Sequence, residues 1–363
     1  MQTPFELKEV DRKFYEERLR DFLPERIIDI HTHVWKGWPP GIAKVERPET
    51  WASAVAQESP IEELLKTCVA LFPGKEVIPL IFGNVPTPKP DDNLDVVLAS
   101  VNAYVADSAR QHTLPALIYA APGWKAEELE RSVMAGGFIG LKVYLNLAPG
   151  HIPRKEVRIF DFLPHHQLEV ANKHGWIVML HIPRDGRLRD PLNLAQMVEI
   201  EERYPCVRLI IAHVGRAYCD EDVGDAFERL AGTRSMCFDF SGNTNQQVFE
   251  QLIDAVGSKR ILYGSDLPIL RMRARRIVEN GDYVNIVPKG SLGDLSGFAH
   301  MREVEGEEAE ALTFFLYEEI DAFRRAATSK RLSSADVANV FFNNAIRLLA
   351  DANFVGRCPQ NSQ

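Results

Sequence analysis

The chain has 363 residues, of which 45% are hydrophobic and 26% charged, and it carries a net charge of −9. That composition suits a globular protein with a core of its own, and the negative balance argues against a binder of phosphate backbones, so no nucleic-acid partner is expected. Cys68, Cys206, Cys219, Cys237 and Cys358 are odd in number and form no CxxC pair, which disfavours a disulfide framework or a thiolate zinc site and points to a reducing, cytoplasmic setting. The first 25 residues are too charged for the apolar core of a signal peptide. No apolar run approaches ~18 residues, so no membrane span is expected.

Short β-branched runs alternate with longer helical patterns, which signals βα units and a parallel sheet. An amphipathic helix is expected over residues 5–22. Strands follow at 26–33, 77–82, 114–120 and 137–145, separated by helices near 61–71, 92–112 and 125–134. The second half repeats the unit. Strands at 176–182, 207–214, 235–241 and 260–266 alternate with helices near 165–174, 192–204, 222–230 and 246–257, and Gly175 reads as a helix C-cap. Eight strands is the count that a closed (β/α)8 TIM barrel needs. An open doubly wound sheet is the rival, but no glycine-rich phosphate loop follows the first strand. Stretches 146–158 and 270–306 fit no βα unit; both leave the C-terminal ends of strands, where barrel active sites form, and read as lid loops. Further helices over about 307–352 pack on the barrel, which spans about 26–330 of a single domain, and CPQNSQ (358–363) reads as a frayed end.

His31 and His33 lie in DIHTH. Alternate residues of a strand share a face, so both imidazoles enter the barrel together as a two-point metal clamp. His181 ends the fifth strand (VMLHIP), His213 the sixth (IIAHVG) and Asp266 the eighth (LYGSDLP). A barrel enzyme needs its polar groups at this end, the only one open to substrate. A lone buried histidine is more often a hydrogen-bonded core residue than a ligand; four imidazoles and a carboxylate on four strands are hard to reconcile with that role. The donors suit a divalent ion, with zinc the first choice and manganese or iron as alternatives.

DIHTH, GLK, LHIP, AHVG and YGSDLP together resemble the metal-ligand strands of the amidohydrolase superfamily over about residues 26–350. The chain is most similar to its amidohydrolase-related branch, which includes lactonases, hydrolases and aromatic-acid decarboxylases. The resemblance implies His31 and His33 as first-strand ligands, His181 and His213 as the fifth- and sixth-strand histidines, and Asp266 as a ligand that also moves protons. Lys142, near the end of the fourth strand, has two readings. It is a carboxylated lysine bridging two metals, as in some amidohydrolases, or an ammonium beside a single metal that holds a substrate carboxylate or pairs with Asp266.

Arg184 and Arg216 follow His181 and His213 by three residues, in HIPR and HVGR. Guanidinium forks suit carboxylates and phosphates, so these arginines and Tyr144, on the strand face of Lys142, are candidate contacts for a small anionic substrate. Salt bridges with Asp185, Asp220 or Glu221 are the alternative for the arginines. Arg271 and Arg273, in the arginine cluster LRMRARR, either add to these contacts or, as the preferred reading, form a solvated or subunit-facing surface. Asn243 and Asn245 are substrate contacts or, for Asn245 above all, a helix N-cap. Trp35 and Trp38 are candidates for the pocket wall, and His151, His165 and His166 for the surface. The first functional reading is hydrolysis of an amide, ester or lactone by metal-activated water: Asp266 takes the water's proton and returns it to the leaving group, while His213 stabilises the oxyanion or completes the ligand set. The second is metal-dependent, non-oxidative decarboxylation of an aromatic or unsaturated acid, with Asp266 protonating the carbon. A third, a barrel that binds metal or anion without catalysis, leaves the ligand set without a task. The tail is compatible with a monomer and with a homo-oligomer.

Overall fold

The computed structural model describes residues 5–42, 51–89 and 91–352; the expected frayed end at 358–363 lies outside them. The central strands are β1 (Arg26–His33), β2 (Glu76–Phe82), β3 (Ile118–Tyr119), β4 (Gly140–Val143), β5 (Ile177–Leu180), β6 (Arg208–Ile211), β7 (Cys237–Asp239) and β8 (Ile261–Leu262). Continuous ladders join β1 to β2 and run from β3 through β8, every pair parallel. Isolated hydrogen bonds, two at one seam and three at the other, bridge the gaps between the ladders. Ile81 N–H donates to Pro115 O (2.9 Å) and Leu117 N–H to Ile81 O (3.0 Å), ahead of β3. Ile30 N–H donates to Tyr263 O (3.0 Å), Asp266 N–H to His31 O (2.8 Å) and His33 N–H to Leu267 O (2.8 Å), tying β1 to β8. The strands thus form the ring of a TIM barrel.

The ladders are shorter than the apolar runs that announce them. Residues 114–120 read as one strand, yet only Ile118 and Tyr119 pair in the ladder. Apolarity reports burial, which continues past the point where backbone geometry leaves the sheet. Two core layers result. Ile28, Ile30, Leu80, Phe82, Leu117, Ile177, Met179, Ile210 and Leu262 fill the barrel, and the intervening residues pack outward on the helices. The helix Asn344–Asp351 closes the N-terminal end through Ala345 and Leu349, with Asn344 Nδ2 donating to Ile261 O (2.8 Å).

Local signals set the connecting helices. Asn93, Asp190 and Asn245 accept N-terminal amides as N-caps, and Gly175 closes His165–His174 at φ +62°. The N-terminal helical segment is shorter than expected, Glu9–Phe14 running into a π-helical turn at Tyr15–Leu19. Residues 270–306 are not a structureless lid. They build a small sheet of β9 (Arg275–Glu279), β10 (Asp282–Pro288) and β11 (Met301–Val304), in the order β11–β10–β9. No helix among the described residues is long and apolar enough to cross a membrane.

Candidate metal centre

A bulge in β1 aims the two histidines. Ile28 and Ile30 point into the barrel, so a regular strand would turn residues 31 and 33 outward. The pairing with β2 instead slips between Asp29 and Thr32, an extra residue on the β1 side. His31 and His33 therefore both pack on the inward ring of Phe82, with centroids at 5.1 and 4.6 Å. Gly264 makes room, because a Cβ there would stand 2.7 Å from His31 Cβ.

The ring nitrogens are oriented by what lies behind them. His31 Nδ1 donates to Asp239 Oδ2 (3.0 Å) and His33 Nδ1 to Gly83 O (2.8 Å), which turns both Nε2 lone pairs toward Asp266. Asp266 Oδ1 lies 3.5 Å from His31 Nε2 and 3.2 Å from His33 Nε2. His213 Nδ1 donates to Ser241 O (2.9 Å), which leaves its Nε2 as the basic atom. His181 packs at a tilt against Tyr144 with centroids 4.5 Å apart and meets the His213 ring edge-on at 5.2 Å; its Nδ1 is buried with no hydrogen-bond partner. Lys142, 0% exposed, donates to His31 Nε2 at 3.3 Å and lies over the Phe82 ring.

Among the described residues, two donor groups have ligand atoms within 4.8 Å of one another: His31, His33 and Asp266; and His31, His213 and Asp239. The first fits a divalent cation better. Asp239 Oδ2 already takes the His31 proton, and Oδ1 accepts His213 N–H (3.1 Å), Ser241 N–H (3.1 Å) and the Ser241 hydroxyl. Asp239 is therefore an orienting carboxylate behind the ligands. The sequence placed it at the end of the seventh strand without a role; the available signal was a carboxylate between two phenylalanines (FDF) on the parity of Ser241.

The centre favours neutral imidazoles and an ionised carboxylate, the states in which these groups ligate metals. Burial and the Lys142 charge lower His31 to about 3. Burial lowers His213 and, with the charges of His213 and Arg216, takes His181 well below the usual histidine range. Burial alone would raise Asp266, but the polar contact with His33 and the neighbouring imidazoles of His31 and His213 outweigh it and hold the carboxyl at about 2. Burial lowers Lys142 to about 8 against the pull of Asp239 and Asp266.

The chain after β6 departs from the expected strand. His213, Val214, Gly215 and Arg216 all have positive φ, from +48° to +61°. A β-branched residue in that region costs about 1–2 kcal/mol, and the fully buried Val214 holds it in place. The turn sends His213 to the centre and carries Arg216 back within electrostatic reach of Tyr144 and His181. Arg216 donates to Pro183 O (3.3 Å) and Arg184 O (3.4 Å). Arg184 itself turns away, to Asp190 (3.0 Å), rather than to the acids expected from sequence.

Other candidates are structural. Arg271 pairs with Glu63 and Arg273 with Asp11, within the chain. Asn245 caps its helix, and Asn243 Nδ2 donates to Ala217 O (2.6 Å). Trp35 is buried, its indole donating to Gln57 O (2.9 Å), and Trp38 is exposed. His165 and His166 begin a helix and bond to Tyr204 and Trp124, and His151 is exposed. Sequence reasoning missed Arg154 and Arg276, which lie in the two segments that fit no βα unit, and Tyr218. Arg154 acts electrostatically on Arg216 and Tyr144; Arg276 stacks on the Tyr218 ring at 4.5 Å.

Comparison with known proteins bears on the fold and the family. No curated protein sequence matches the chain. The structure is similar to 2,6-dihydroxybenzoate decarboxylase from Rhizobium (TM-score 0.56, 15% identity, 90% of this chain and 99% of that one). It is similar to a manganese-bound 5-carboxyvanillate decarboxylase from Novosphingobium aromaticivorans DSM 12444 (0.55, 11%, 90% and 97%). A probable 2-pyrone-4,6-dicarboxylic acid hydrolase from Acinetobacter baumannii also aligns (0.53, 15%, 89% and 99%). A family model described as amidohydrolase matches residues 28–350, and the chain belongs to the amidohydrolase family.

Proposed function

We propose that this protein is a metal-dependent decarboxylase of a small, planar, carboxylate-bearing acid. The observation that carries the reading is the His31–His33–Asp266 donor set together with a cation, Arg216, whose charge is felt at Tyr144 and at His181, which packs against His213. His31, His33, His181 and Asp266 would hold the ion, with His213 beside them. The buried, partnerless His181 Nδ1 fits that assignment. Zinc suits the imidazole-rich donors, and the manganese in the carboxyvanillate decarboxylase makes that ion the alternative. When bound, the ion supplies Lewis acidity that neutralises charge on the substrate's oxygens.

The chain's own residues do the rest. Arg216 binds a carboxylate, and Tyr144 presents an aromatic surface to a flat ring. Decarboxylation breaks the bond between ring carbon and carboxylate; carbon dioxide leaves, and the carbon keeps the electron pair and takes a proton. Asp266, resting ionised, takes a proton from solvent and delivers it to that carbon, so each turnover consumes one solvent proton. The names of the similar decarboxylases support this reaction.

Hydrolysis of a lactone, ester or amide is the second reading. In it Asp266, ionised at rest, takes the proton of the attacking water and returns it to the leaving group. The similar pyrone hydrolase fits the same anionic substrate class. The test is a panel of hydroxylated benzoates and pyrone carboxylates with protein reconstituted with zinc or manganese, scored separately for carbon dioxide release and ring opening. Carbon dioxide release that is lost in Asp266→Asn supports the proposal. Ring opening alone replaces it with the second reading, and a metal-loaded protein that turns over nothing in either class overturns both.

A further inference from the structure

The turn that follows β7 is gripped from outside the barrel. Its Ser241 carbonyl accepts the His213 Nδ1 proton at 2.9 Å, and the Ser241 hydroxyl oxygen also lies 2.9 Å from Nδ1. That carbonyl and the Gly242 N–H belong to one planar, trans peptide unit, so they point in opposite directions. The N–H meets Glu319 Oε2 at 2.6 Å. One line of hydrogen bonds therefore runs from a carboxyl group on the helix Phe315–Ser329, through a single peptide, to an imidazole of the metal centre. Bonds in such a line polarise one another, so an acceptor on the N–H makes the carbonyl beyond it a stronger acceptor.

The next peptide is held as well. Gly242 O accepts a hydrogen bond from Arg276 Nη1. Arg276 stands on β9 opposite Asn285 of β10, and its Nε donates to Asn285 Oδ1 at 2.9 Å. Its guanidinium lies 4.5 Å from the Tyr218 and Tyr283 ring centres and 4.8 Å from that of Phe315, the first residue of the helix that carries Glu319. This aromatic sleeve fixes the direction of the fork. Gly242 has φ +67°, and a Cβ there would stand 3.5 Å from His213 Nδ1, so the turn and the imidazole are in contact. Glu319 is 0% exposed and its Oε1 has no partner. A buried carboxyl with one oxygen unsatisfied costs stability that an apolar side chain in its place would not, and the bond it does make is the one to Gly242.

We infer that Glu319 is a positioning residue for His213, with Arg276 as its counterpart from the small sheet: the two hold the Ser241–Gly242 turn so that its carbonyl keeps the imidazole proton on Nδ1 and leaves Nε2 basic. A neutral imidazole ligates a metal or takes a proton only through the nitrogen that carries none. The inference rests on reading His213 as part of the metal centre, and it extends the orienting groups beyond Asp239 to two elements outside the barrel.

Nitrogen NMR of ring-labelled histidine in the metal-free full chain reads the tautomer without turnover, and His213→Gln assigns the His213 signals by their loss. The wild type should carry the His213 proton on Nδ1. Glu319→Leu and Arg276→Gln should each raise the Nε2–H population of His213 ~5-fold, the scale of one net hydrogen bond, and leave the signals of His165 and His166 in place. Glu319→Gln, which keeps an oxygen for the Gly242 N–H, should retain the wild-type pattern. A wild-type His213 protonated on Nε2 overturns the inference. So does an unchanged His213 pattern in the folded variants, because a purely structural role would lower the melting temperature without moving the tautomer. A shift in Glu319→Gln equal to that in Glu319→Leu overturns it too. Should either Glu319→Leu or Arg276→Gln not fold, the other decides, together with the wild-type tautomer. Tautomer shifts in a protein that turns over no tested acid or lactone would sink the proposed function and leave this inference standing. Turnover in a protein whose His213 pattern ignores both substitutions would do the reverse.

Discussion

Asp239 shows how far a residue can matter without touching a substrate. It receives the His31 proton and three further hydrogen bonds, and through them fixes which nitrogen of His31 faces the centre. Asp239→Asn is expected to leave the fold intact and weaken metal affinity about 10–100-fold, the range for an orienting partner, read by competition with a chelator. His31→Ala and Asp266→Ala should lose the metal outright in elemental analysis; retention of a full equivalent by both would remove the centre from these residues. The two rim arginines should separate in kinetics. Arg216→Gln raises KM, whereas Arg184→Gln leaves it unchanged and costs roughly 1 kcal/mol of stability through the lost Asp190 contact.

Among the elements, the contact between β1 and β8 carries the most constraint. The bulge turns two histidines inward, and Gly264 lets their strand come close. Gly264→Ala forces a Cβ to 2.7 Å from His31 Cβ, so one of the strands must shift. The expected cost is about 1–3 kcal/mol with a parallel loss of metal affinity. Gly123→Ala is the control: a Cβ there meets nothing within 4 Å, and its melting temperature should match the parent. If both variants behave alike by thermal melting and metal titration, the close approach is not what fixes His31.

For the molecule as a whole, Glu319 joins the C-terminal helical layer to the back of the site. It sits fully buried on the helix Phe315–Ser329, its Oε2 accepting Gly242 N–H at 2.6 Å while Oε1 has no partner. Burial raises its carboxyl well above the ordinary 4.5, and the Gly242 bond offsets only part of that. A group whose folded-state pKa is raised stabilises fully below its unfolded pKa, and that contribution is lost as pH rises through the folded value. Glu319→Gln, neutral at every pH, should therefore match the parent near pH 4 and become progressively more stable than it as pH rises. Parallel stability–pH curves from denaturant titration would show that Glu319 is ionised in the native state.

The sequence by itself determined the strand order, the barrel and the apolar layers, because strand periodicity and helix caps are local properties that survive without knowledge of partners. It also marked His31, His33, His181, His213 and Asp266, since each ends an apolar run at the same end of the barrel. Only the tertiary structure decided what depends on neighbours distant in the chain. The bulge that turns His31 inward is a mismatch between two strands, and the left-handed turn that returns Arg216 is held by the core around Val214. The pairing of Arg184 with Asp190, beside an Arg216 that bonds to backbone carbonyls, cannot be read from spacing, because both follow a histidine by three residues. Asp239 and Arg276 became visible only when packing showed which proton one receives and which carbonyl the other holds.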